Sequence, residues 1–182
     1  MTRRVFTEKR CMRKLQGSLI ATLGYIDHDA YMAMYVPFLR RNGMNIGKPR
    51  FIGPRCYFDG TDYSLITISD DVVISAEVAF LTHDYAISRA AIASSYVLRK
   101  EFAIVGPVCV ERNSFIGYRV SVLPNTTIGH DSIVGAAAVV KGTVEPYSVM
   151  IGNPARHVGD VREWFLRMIK EHPEFGDHIE RR

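Results

Sequence analysis

Residues 104–144 read IVGPVCVERNSFIGYRVSVLPNTTIGHDSIVGAAAVVKGTV. Every sixth residue is aliphatic: Ile104, Val110, Ile116, Val122, Ile128, Val134 and Val140. Four residues after each stands a small or β-branched side chain: Val108, Ser114, Val120, Thr126, Ser132, Ala138 and Val144. A helix repeats near 3.6 residues and a strand near 2, so a period of six fits neither as a long element. It fits short flat strands joined by tight turns, three to a coil, with the aliphatics filling a narrow interior. The residue four later also faces inward, where only a small group has room. A core this thin is stable only when several coils stack. The competing arrangement is a β-sandwich, whose strands alternate and do not hold one phase over seven hexads.

The same register holds upstream at Ile68, Ile74 and Phe80, with Val72 and Val78 as the small followers. The Phe80 repeat breaks, with Asp84 at the follower position. Ile46, Ile52 and Phe58 keep the spacing in another register, and the ten-residue step from Phe58 to Ile68 absorbs the shift. Glycine follows the key aliphatic at positions 47, 53, 117, 129 and 135, and is read as supplying positive φ at the corners. Between Phe80 and Ile104 the pattern lapses, and residues 83–102 are predicted to form a loop leaving the prism. Insertions of this kind carry function in solenoids.

The flanks read as helical. Residues 29–41 open on an aspartate cap and place Met32, Val36 and Leu39 on one side. Pro37 is a candidate kink, and Asn42-Gly43 the stop. Asp160 and Glu163 suggest a capping-box-like start. Val161, Trp164, Phe165, Met168 and Ile169 then follow helical spacing until Pro173. The predicted organisation is a basic arm and helical segment over 1–42, a β-helix over 43–158 and a C-terminal helix and tail over 159–182.

Composition removes other classes. The chain has 182 residues, 23 basic and 19 acidic, for a net charge of +4. Residues 1–14 hold six basic residues and one acid, leaving a body of 17 basic and 18 acidic residues. A nucleic-acid surface needs basic residues spread over the fold, so no nucleic-acid partner is expected. The arm is expected to pack on the coil or to make peripheral contact with an anionic membrane. An apolar content of 47% excludes intrinsic disorder. No apolar run reaches the roughly 18 residues of a membrane span, and no signal-type stretch is present. Cys11, Cys56 and Cys109 lack metal-ligand spacing and read as reduced thiols of a cytoplasmic protein.

The repeat, aliphatic-Gly-x-x-small-x, resembles that of the hexapeptide-repeat acyltransferases from about Gly43 to Val158. That resemblance implies an all-β solenoid, a left-handed parallel β-helix. FLTHDYAIS (80–88) and IVGAAAVVKGTVEPYSVMIGNPARHVG (133–159) narrow it. They resemble the maltose/galactoside acetyltransferase-like branch and its polysaccharide O-acetyltransferase relatives.

Acetyl transfer to a hydroxyl needs a base to take the proton of a poor nucleophile, a task suited to histidine. Of six histidines, His83 alone lies at the junction of coil and loop. Its T-H-D context matches the family's catalytic histidine. Asp84 is expected to touch substrate rather than His83, because neighbours on an extended chain point opposite ways. Tyr85 and Asp59 are further substrate-side candidates, with a turn role at Asp59-Gly60 equally open. No cysteine or serine sits in a nucleophile motif, which favours direct transfer in a ternary complex.

The resemblance implies acetyl-CoA as co-substrate, with no metal required. Its positions here are Phe115, Tyr118, Ala136, Lys141, Asn153, Pro154 and Arg156. Lys141 and Arg156 are suited to phosphate. The sequence departs from the family at three places: Phe115 replaces a common tryptophan, the lysine of VGAAAVVKG comes one position early, and Ser69 and Ser75 replace glycine. The resemblance also implies a homotrimer with sites between subunits. The acceptor is expected to be a saccharide of surface polysaccharide or glycolipid. The other readings are an antibiotic-modifying acetyltransferase, a three-histidine zinc carbonic anhydrase and a non-catalytic β-helix scaffold.

Overall fold

The computed structural model describes residues 15–180; the basic arm of residues 1–14, with Cys11, lies outside them. The repeat builds a three-sided parallel coil. One face, sheet A, stacks β1 (Asn45–Ile46), β4 (Ile66–Ile68), β9 (Val108–Val110), β12 (Thr126–Ile128) and β15 (Thr143–Val144). Sheet B stacks β2 (Phe51–Ile52), β5 (Val73–Ile74), β10 (Phe115–Ile116), β13 (Ile133–Val134) and β16 (Ser148–Ile151). Sheet C stacks β3 (Tyr57–Phe58), β6 (Ala79–Phe80), β11 (Ser121–Val122) and β14 (Val139–Val140).

The hexad residues meet their own kind in the next coil. Ile46, Ile68, Val110, Ile128 and Val144 are in register on sheet A. Ile52, Ile74, Ile116, Val134 and Met150 are in register on sheet B. Phe58, Phe80, Val122 and Val140 follow on sheet C. Except for the half-buried Met150, all of these are buried. The followers Val72, Val78, Ser114, Val120, Thr126, Ser132 and Ala138 are buried as well. Buried hydroxyls find coil carbonyls: Ser114 Oγ donates to Gly129 O at 2.9 Å and Thr126 Oγ1 to Leu123 O at 2.7 Å. This satisfaction makes a serine tolerable inside.

Three expectations about the coil change. Ile104 is not in the prism: it lies on β8 (Ile104–Val105), which pairs antiparallel with β7 (His83–Asp84), and is 38% exposed. Its place in the hexad phase is a coincidence of spacing, and the phase begins again at Val108–Val110. Val144 is a face residue opposite Ile128, not a follower, because the last side is shortened to four residues after Val140. The insert is not an irregular loop. It holds the β7–β8 ribbon and helix α3 (Ala86–Ala93), closed by Ser88 Oγ, which accepts from Phe102 N at 2.8 Å and donates to Phe102 O at 2.5 Å.

The corners use glycine differently from the expectation. Left-handed backbone falls on the residue before each follower, at Asp71, Glu77, Asn113, Arg119, Asn125, Asp131 and Ala137. Asn and Asp tolerate this region best of the non-glycine residues. The hexad glycines instead allow close approach of successive coils. A Cβ on Gly117 would stand 2.7 Å from both Ala136 N and Val134 O.

Helix α1, described over 15–23, and helix α2 (His28–Arg41) lie at the first coil. The α2 cap is Asp27, whose Oδ1 accepts from Ala30 N at 2.9 Å; Asp29 sits in the first turn instead. The helix runs through Pro37 and stops at Asn42, followed by Gly43 at φ +102°. Its buried stripe is Tyr31, Tyr35 and Leu39, with Met32 and Val36 partly buried beside it. Tyr35 meets Phe58, and Phe58 stacks on Phe80 at 5.0 Å, so α2 plugs the first end of the core. At the other end β17 (Arg156–Asp160) turns back antiparallel on β16, and α4 (Val161–Glu171) follows, capped by Asp160. No α4 residue is buried. Among the described residues, no helix is long and apolar enough to cross a membrane.

Candidate active site

The site grows from two turns at the edge between sheets C and A. Asp59 follows Phe58 at the end of β3, and its amide donates to Phe80 O at 3.0 Å. One coil on, Leu81 N donates to Val122 O, and the chain then leaves the prism through Thr82 and His83. The two turns are stacked, which brings Asp59 under Thr82 and His83.

Asp59 is 1% exposed, and its carboxylate is fully engaged. Oδ2 accepts from Thr82 Oγ1 at 2.7 Å, from Thr82 N at 3.2 Å and pairs with His83 Nδ1. Oδ1 accepts from Thr61 N at 3.2 Å. Burial alone would raise the carboxyl pKa. The hydrogen bonds from the Thr82 hydroxyl and the Thr61 and Thr82 amides outweigh it and hold the value down at about 2. Asp59 is therefore ionised near neutral pH and can only accept. His83 Nδ1 must then carry the proton, which leaves Nε2 with its lone pair. The His83 side chain is 33% exposed, and Tyr85 stands edge-on to its ring at 5.6 Å.

The other expected residues fall in separate places. Asp84 points into the insert, where its Oδ1 accepts from Ala86 N at 2.8 Å, and it does not pair with His83. Tyr118 and Ala136 stand on successive coils at the edge between sheets B and C, where Ala137 N donates to Tyr118 O at 2.8 Å. Asn153 and Pro154 form the turn above them. That turn continues sheet C: Val139 N donates to Gly152 O at 3.1 Å and Ala155 N to Val139 O at 2.9 Å. Phe115 is exposed on the outer face of sheet B, and Arg156 is exposed at the start of β17. Lys141 follows β14 on the His83 edge, two strands further along, about 10 Å up the axis. Within one chain the coil thus separates His83 from Tyr118 and Ala136 by the width of sheet C.

Sequence reasoning missed Thr82 and did not pair Asp59 with His83, leaving Asp59 open between the substrate side and a turn. The signal was present. Asp59 directly follows Phe58, and Thr82 stands two residues after Phe80, so the hexad register already stacks them. Among the described residues no group of three or more His, Cys, Asp or Glu side chains is placed to hold a metal.

No family model matches the chain. A Schizosaccharomyces pombe protein named "Putative acetyltransferase" is 30% identical over 147 residues, 80% of this chain and 67% of that protein. Relatives of the same name in Staphylococcus aureus are 32% identical over 129 residues, 70% of this chain and 61% of those proteins. A maltose O-acetyltransferase structure from Clostridium difficile 630 superposes with a TM-score of 0.66, at 21% identity over 86% of this chain and 88% of that one. A hexapeptide-repeat acetyltransferase from Vibrio cholerae O1 biovar eltor, complexed with acetyl coenzyme A, gives 0.57 at 23% identity, over 82% and 87%. The chain belongs to the acetyltransferase family of these relatives, and its coil is the left-handed parallel β-helix of hexapeptide-repeat acetyltransferases.

Proposed function

We propose that the protein is an acetyl-CoA-dependent O-acetyltransferase acting on a saccharide hydroxyl. One observation carries the reading: the buried carboxylate of Asp59 fixes the His83 tautomer and leaves Nε2 as a half-exposed base. His83 Nε2 takes the proton of the acceptor hydroxyl as that oxygen attacks the thioester carbonyl. Asp59 stabilises the imidazolium so formed. On collapse the C–S bond breaks, and His83 returns the proton to the departing thiolate, so base and enzyme are regenerated.

The edge carrying Tyr118 and Ala136 suits the long amide arm of coenzyme A, because Gly117, Gly135 and Ala136 leave little but backbone there. Asn153, Pro154 and Phe115 extend that edge. Lys141 and Arg156 are exposed cations for its phosphates. Tyr85 and Asp84 face the acceptor side of the insert. Because sheet C separates His83 from Tyr118 within one chain, a homotrimer whose neighbouring subunits complete each site accounts for both sets. A substrate of this kind fits a cytoplasmic enzyme of surface-glycan assembly.

The test is release of free thiol from acetyl-CoA in the presence of a panel of saccharides. His83→Ala should lower acceptor-dependent turnover by roughly 10²- to 10⁴-fold. An unaffected His83→Ala protein would overturn the mechanism. Turnover on hydroxyl-bearing antibiotics but on no sugar would overturn the saccharide reading.

A further inference from the structure

We propose that the cleft between α1 and β3 is a subsite for a second sugar ring of the acceptor, next to the ring that is acetylated. The proposal rests on the saccharide reading of the His83 site. The cleft has a volume of about 600 Å³, inside the roughly 300–1,000 Å³ range of small-molecule sites. Six aromatic rings line it: Tyr25, Tyr35, Phe38, Tyr57, Phe58 and Tyr63. Tyr35 and Phe58 are accounted for by core packing. Tyr25 and Tyr57 are not, being 62% and 53% exposed. Large rings left open to water on a concave surface mark a binding face.

The chemistry selects the occupant. Among the described residues Arg55 is the only charged side chain lining the cleft, and it is paired with Glu77, which also takes Arg119, so the described lining carries one partnered cation and no anion. Its other polar groups are hydroxyls, from Ser18 and Thr22 on α1 and from the tyrosines. Flat apolar faces ringed by hydroxyls match a neutral sugar ring, whose C–H faces stack on aromatics while its edge hydroxyls take hydrogen bonds. Gly17 and Ala21 on α1 keep the space open, and a Cβ on Gly17 would already stand 3.3 Å from Phe38. The cleft adjoins the site along the chain. Phe58 and Gly60 line it, and the residue between them is Asp59, which holds His83.

The experiment compares maltose and lactose with methyl α-D-glucopyranoside and methyl β-D-galactopyranoside as acceptors for the full chain. Tyr25→Ala and Tyr57→Ala are exposed substitutions, and an unchanged melting temperature verifies their folding. The expected result is a lower KM for a disaccharide than for its monosaccharide glycoside. Each variant should raise the disaccharide KM by about two- to tenfold, with kcat and the monosaccharide KM unchanged. Equal KM values for both sizes, insensitive to both variants, would overturn the subsite and leave the saccharide reading standing. A wild-type protein that acetylates none of the four sugars would overturn that reading and the subsite with it.

Discussion

Asp59→Asn separates the roles of the site most cleanly. The substitution keeps the shape of the side chain and removes its charge. An amide can still offer one oxygen where Thr82 and His83 converge, but its NH2 then faces the Thr61 amide, donor against donor. In the folded protein the Asp59 carboxyl lies at about 2, against an ordinary value of 3.8. That difference corresponds to about 2 kcal/mol of stability carried by the ionised form. The sign follows from the depression: the contribution is full above about 3.8 and is lost as the pH falls towards 2. At pH 7 the variant should therefore melt about 4–8 °C below wild type, and the gap should shrink as the melts are repeated from pH 5 down to 3. A hydrogen bond to a charged group is worth about 1.5–3 kcal/mol. Losing it from the imidazolium should lower turnover by roughly 10- to 150-fold. The assays are circular-dichroism melts across pH and thiol release at saturating acetyl-CoA. A variant destabilised as expected but turning over at the wild-type rate would reduce Asp59 to a structural anchor. A variant unchanged in both would refute the geometry.

Phe80→Ala removes a fully buried ring stacked on Phe58, and should cost about 3–5 kcal/mol in urea unfolding. Gly117→Ala forces a methyl to within 2.7 Å of the next coil's backbone, whereas a Cβ on Gly159 meets nothing within 4 Å. The first should lose about 1–3 kcal/mol and the second should unfold like wild type. Ser88→Ala strips the buried hydroxyl that both accepts from and donates to Phe102. Hydrogen exchange over residues 86–102 should quicken, at a cost of about 1–3 kcal/mol, while the prism strands keep their protection.

Much of the fold was legible because the interior of the prism is so narrow. Each face offers one inward position and one cramped corner, so the same residue types return every six residues. The exceptions have physical causes. Ile104 kept the phase by chance on a ribbon outside the prism, where no neighbouring coil tests it. Val144 was misassigned because a corner can lose two residues and still pass the chain to the next face. Glycine was credited with backbone freedom when its role at position 117 is the absence of a side chain. A sequence shows a missing Cβ without showing which neighbour needs the space.

The site was legible by half. His83 stood out because one histidine marks the place where the repeat stops. Its partner went unassigned: Asp84 was set aside because chain neighbours point opposite ways, and Asp59 was left open between the substrate side and a turn. The carboxylate that meets the ring comes from the coil below, 24 residues away. The amino-acid sequence by itself determined the period, the inward residues, the insert and the candidate base, since each depends on local pattern and residue type. Only the tertiary structure decided that Asp59 lies buried behind His83, that Asp84 turns into the insert to accept from Ala86 N, and that an aromatic cleft opens between α1 and β3. Those facts depend on how one coil stacks on the next and how α1 lies against β3, and such contacts leave no period in the chain.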